Sequence, residues 1–164
     1  MAAAPYAQLE RQAREAYKGL SVPHQLTLDE LICRVEDERG TAIVVKPVEG
    51  LSSGQLSGLW MAMPAIDLIL HADTASVLHR EQIILHELAH MVLGHEKLME
   101  DTKHAGSLMP DLDPELVSRV LARCEHGEEH EIVAEALADM FARAIARTRR
   151  GERIEPLNFK GVFG

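Results

Sequence analysis

The chain has 164 residues, of which 46% are apolar and 26% charged; this suffices for one domain with a real hydrophobic core and excludes wholesale disorder or a fibrous repeat. A formal net charge of -9 sets a surface potential that repels phosphate backbones, which argues against direct nucleic-acid binding. Two cysteines, Cys33 and Cys124, are too few for a disulfide framework. With no basic and apolar leader and no run approaching about eighteen apolar residues, the expectation is a cytoplasmic protein that does not enter a membrane.

In chain order, Tyr6 to Tyr17 mixes charged and apolar residues without a breaker and predicts an amphipathic opening helix that ends near Gly19. Thr27 to Glu38 predicts a second helix, with Thr27 as N-cap and Glu30 three residues on completing a capping box. From Gly40 the texture changes. The short runs at 41–46 (TAIVVK), 58–63 (GLWMAM) and 66–70 (IDLIL), bounded by Gly, Pro and Ser, predict a sheet of three strands.

Residues 76–93 then carry apolar side chains around most of a helix circumference, so this helix belongs in the core, with Gly94 placed to end it. Residues 96–114 are charged and turn-rich and read as a surface connection, and a short helix is expected at 115–123. The last long helix, about 128–149, has apolar pairs every four residues. Its basic end, with Arg143, Arg147, Arg149, Arg150 and Arg153, complements the negative pole of a helix C-terminus. The expected organisation is a single α+β domain over 1–164: a helical part at 1–39, a core at 40–150 and a tail at 151–164.

The chemistry concentrates in His86-Glu87-Leu88-Ala89-His90, inside the most apolar helix. Residues four apart share a helix face, so both imidazoles can reach one Zn²⁺ while the glutamate projects beside a metal-bound water. Zinc lowers the pKa of such a water to about 7 and polarises a carbonyl, and Glu87 as general base can move the water's proton to a leaving amine. Two histidines and a glutamate buried without partners would instead cost several kcal/mol, at about 1–3 kcal/mol for each unpaired group.

A catalytic zinc takes three protein ligands and an open position. The metzincin spacing fails, because Leu93 and Glu96 stand where Gly and His would be needed; His95 reads as a helix-end residue rather than a ligand. Neither cysteine has a deformylase-like setting. In EALADMFA (135–142), Glu135 has the place of the third ligand and Asp139, one turn on, that of the carboxylate holding a ligand's far nitrogen. Glu131, or one of the remaining histidines, is the alternative ligand. The competing reading is a solvated acidic ladder, Glu128, Glu131, Glu135 and Asp139, pairing with Arg143 and Arg147. His126, just before this helix, and His130, near its start, are candidates to stabilise an oxyanion, since both tyrosines lie near the N-terminus.

HELAHMVLGH, preceded by Arg80 and the apolar lead-in 83–85 and followed some forty residues on by EALADMFA, resembles the ImmA/IrrE family of metallopeptidases over roughly 66–95 and 128–145. Glu135, Ala138, Asp139, Phe141 and Ala142 fit the family's second pattern, while Leu137 stands where that pattern has a second Glu. The resemblance implies a zincin-like, gluzincin-type α+β fold with a small sheet beside the active-site helix. It further implies a protein substrate, such as a helix-turn-helix repressor or antitoxin, in phage-like, stress-response or toxin–antitoxin settings. The alternative function is a zinc-bearing interaction module that regulates a partner by binding without proteolysis; a fourth protein ligand from His95, His126 or His130 would favour it.

Overall fold

The computed structural model describes residues 3–49, 57–74, 76–95 and 127–152. The connection expected at 96–114, the helix at 115–123, His126, Cys124 and the chain beyond 152 lie outside the described residues.

Among the described residues the architecture is α+β: helices α1 (Ala3–Gly19) and α2 (Leu28–Arg39), strands β1 (Ala42–Val48), β2 (Gly58–Ala62) and β3 (Ile66–Ala72), then helices α3 (Val77–Val92) and α4 (Glu128–Glu152). The capping box forms as expected. Thr27 Oγ1 accepts the Glu30 backbone N–H at 3.2 Å, and the Glu30 carboxylate accepts the Thr27 N–H at 2.8 Å. A reciprocal pair of this kind satisfies two of the donors that a helix start leaves without partners.

The three strands pair in the order β1-β3-β2, with β1 parallel and β2 antiparallel to the central β3. As the middle strand β3 is covered on both faces, and Asp67 to Ala72 are all buried. Such a strand reads as the near-continuous apolar run seen at IDLIL. The charge within that run is matched: Arg39, the last residue of α2, donates to both carboxylate oxygens of Asp67 at 2.7 and 3.3 Å. Trp60 Nε1 on β2 donates to Asp67 Oδ1 at 2.9 Å, and the Arg39 guanidinium lies 4.7 Å from the Trp60 ring centroid. One buried carboxylate thereby ties α2 to two strands.

The core lies between α3 and α4 and extends onto α1, α2 and β3, through Ala13, Leu31, Val35, Ile69, Leu88, Leu137 and Phe141. Leu137, at the family pattern's second Glu, is fully buried here. The four-residue apolar pairing of the last helix appears as its buried side, Val133, Ala134, Leu137, Phe141, Ala144 and Ile145. At the far end of α4, the buried Thr148 hydroxyl accepts the Leu26 N–H at 2.7 Å and donates to Ala144 O at 3.2 Å, which closes the segment before α2 onto α4. Arg149 from the basic end donates to Glu81 on α3, so part of that cluster holds the two helices together.

Candidate metal centre

Helix α3 starts at Ser76, whose hydroxyl accepts the His79 N–H at 3.2 Å, and continues through 16 residues to Val92. The stretch Ile83 to Met91 is buried apart from the half-buried His86. This fixes the directions of the motif residues. His86 and His90, one turn apart, meet edge to face with ring centroids 4.7 Å apart and Nε2 atoms 3.0 Å apart.

The third member comes from the first turn of α4, and it is Glu131. Its carboxylate lies 3.1 Å from His86 Nε2 and 3.4 Å from His90 Nε2. The three residues offer ligand atoms all within 4.8 Å of one another. A tetrahedral zinc with arms of 2.0–2.1 Å has donor-to-donor edges of about 3.3 Å; the two Nε2 atoms are 3.0 Å apart, and each faces a different oxygen of the Glu131 carboxylate, Oε2 for His86 and Oε1 for His90, so the three groups converge on a space the size of a small cation. Two imidazoles and a carboxylate are also the donor set of a catalytic zinc. Among the described residues the group has three members.

Glu135 and Asp139 are not in this group. Both are exposed, and Asp139 is 4.0 Å from Arg143, the pairing of the acidic-ladder reading. The carboxylate that stands with the two histidines is therefore Glu131, one turn before Glu135, and Asp139 is not in the group. The physical reason is the helical pitch. At about 100° per residue a row spaced by four drifts by roughly 40° per step, so carboxylates at 131, 135 and 139 cannot all border the same buried face. The face is set by Val133, Ala134, Leu137, Phe141, Ala144, Ile145 and Thr148; Glu131 lies roughly 100° from its centre, Glu135 roughly 140°, and Asp139 opposite. A helical wheel drawn on the apolar pairs alone does not carry this signal, since it sets both Glu131 and Glu135 roughly 150° or more from the apolar centre.

Glu87 points between α3 and the sheet and is 6% exposed. Burial pushes its carboxyl up to about 8, the negative charge of Glu131 adds to that, and a hydrogen bond from the Trp60 backbone N–H opposes it. Strand β2 comes this close because residue 58 is glycine. A Cβ there would lie 2.4 Å from Ile83 Cγ2 and 2.9 Å from Glu87 Oε1. The strand thus holds the Glu87 carboxylate against the side of α3, close enough to Glu131 for the two charges to interact.

His95 is buried and its Nδ1 lies 3.1 Å from His90 Nδ1, on the side of the ring away from His86 and Glu131. It is not a fourth member of the ligand group. His130, exposed at the start of α4, stacks on His95 with centroids 4.1 Å apart and planes 13° from parallel. No family model, no curated protein and no solved structure matched the chain in comparison.

Proposed function

We propose that this chain is a zinc-dependent endopeptidase of zincin-like fold, with His86, His90 and Glu131 as ligands and Glu87 as general base. One observation carries the reading: two imidazoles and a carboxylate converge with ligand atoms within 4.8 Å of one another, on the same helix as a buried glutamate that is not itself one of them. A structural zinc has no use for such a base and is closed by four protein ligands, whereas a hydrolytic one keeps a position open.

When bound, zinc supplies a Lewis acid and a water acidified to about pKa 7. The chain's own residues do the rest. The Glu87 carboxyl, with a raised affinity for a proton, is suited to accept one at its oxygen and release it to a leaving amine. A dication nearby lowers that affinity and makes the carboxylate form available near neutral pH. The Trp60 N–H, donating to the carboxyl, holds it at β2. The substrate class follows the family resemblance of HELAHMVLGH: a peptide bond in a regulatory protein, such as a helix-turn-helix repressor or an antitoxin.

The test combines metal content with cleavage of a co-encoded regulator. Wild type is expected to hold one zinc and cut; Glu87→Gln should keep zinc but lose about 10²- to 10⁴-fold in turnover. Glu131→Ala should lose the metal. Full partner regulation by Glu87→Gln would refute the peptidase reading and leave a binding module.

A further inference from the structure

Helix α3 ends in a turn whose geometry determines what lies behind the second histidine. Gly94 takes the left-handed conformation, φ 66°, which a residue with a Cβ rarely adopts. The His95 N–H then donates to His90 O at 3.0 Å and the Gly94 N–H to Met91 O at 3.1 Å. This is a Schellman turn. In such turns the second residue past the cap folds back onto the residue five before it, and the two side chains usually make an apolar contact.

Here those two positions are His95 and His90. The usual apolar contact is replaced by a hydrogen bond between imidazoles, Nδ1 to Nδ1 at 3.1 Å, with His95 7% exposed and His90 1%. The bond has one arrangement compatible with the site. If His90 turns a lone pair at Nε2 toward His86 and Glu131, its proton sits on Nδ1 and is donated to His95 Nδ1. His95 then carries its own proton on Nε2. Stacking on His130, the neighbour of Glu131, fixes the plane of the His95 ring and connects it to the helix that brings the carboxylate.

We infer that His95 is a positioning residue for the metal centre: it accepts the Nδ1 proton of His90 and so fixes both the tautomer and the ring orientation in which His90 Nε2 faces the cation. The inference rests on the metal-centre reading above. It assigns to an imidazole the role more often filled by a carboxylate or a backbone carbonyl, and it explains why the Gly94-His95 pair follows the motif at this distance.

Two variants separate packing from hydrogen bonding. His95→Phe keeps a ring to stack on His130 but has no acceptor; His95→Asn carries an acceptor oxygen on Cγ, where histidine carries Nδ1. Zinc affinity is measured by competition with a chromophoric chelator, alongside the thermal midpoint of the chelator-stripped proteins. His95→Phe should bind zinc about 10- to 100-fold more weakly with a stripped-protein midpoint close to wild type, and His95→Asn should recover most of the loss. Proton–nitrogen NMR of the zinc-loaded wild type should place the His90 proton on Nδ1 and show no metal at His95, whatever the variants do.

Wild-type zinc affinity in His95→Phe, equal losses in both variants, or zinc bound directly by His95 would overturn the positioning role alone. A wild-type chain that takes up no zinc fails the metal-centre reading itself, and the role of His95 with it.

Discussion

Two polar clusters are built into this small core, and they are finished in different ways. Around Asp67, one negative charge meets one positive charge, Arg39 approaches with two donors, and the Trp60 indole supplies a third. Every contact pairs a donor with an acceptor, and charges cancel. Around His90, two ring nitrogens lie 3.0 Å apart, a carboxylate faces both, and a second carboxyl is buried alongside with its pKa raised to about 8. Acceptors there outnumber donors. The first cluster needs nothing from outside, whereas the second gains electrostatic balance from a divalent cation.

The contrast can be broken by experiment, and the largest effect should come from the closed cluster. Arg39→Leu leaves the Asp67 carboxylate buried without its cation and should cost about 3–5 kcal/mol in urea unfolding, with zinc affinity of the folded protein unchanged. A comparable loss of zinc affinity would mean that the two clusters are not independent.

Next comes the pH dependence of the open cluster. Glu87 has a folded pKa near 8 against 4.5 for the ordinary group. Its contribution to stability is therefore fully present below about pH 4.5 and is lost as pH rises through 8, a change on the order of a few kcal/mol. The metal-free wild type should weaken over that window relative to Glu87→Gln in denaturant titrations. Parallel stability curves for the two proteins would show that this carboxyl is not held in the environment described.

A smaller effect is expected where the sheet supports the site. Gly58→Ala inserts a methyl group that meets Ile83 and Glu87, and should cost about 1–3 kcal/mol through overpacking. It should also move the Glu87 carboxyl from its bond to Trp60, which a drop in turnover beyond the stability loss would report. The smallest effect separates the two carboxylates of α4: Glu135→Gln, at an exposed position, should change stability by less than about 0.5 kcal/mol and leave zinc affinity intact. Loss of zinc in Glu135→Gln would restore the assignment that the sequence pattern favours.

Much of this arrangement is legible in the chain itself, because its causes are local. The Thr27 capping box, the β-branched runs and the Gly94 terminus each depend on a few adjacent residues, and each lies where the pattern places it. His86, Glu87 and His90 are equally local, all lying within five consecutive residues of one helix. Glu131 is different, since choosing it over Glu135 depends on which side of α4 faces α3. Asp67 inside IDLIL signals a buried charge in need of a partner, but that partner, Arg39, is 28 residues away and reaches it only once β1 and β3 pair.

The proposed ligand set joins two segments that are about forty residues apart in sequence, His90 on α3 and Glu131 on α4. A cation held there acts on the unfolded chain as a cross-link does, because a loop of that length must close before all three donors can meet. Its stabilisation grows with the logarithm of free metal, reaching about 4 kcal/mol at a thousand times the dissociation constant. The melting temperature of this protein would then track metal availability, and under the proposed function a cell short of zinc would hold a less stable chain as well as an inactive one.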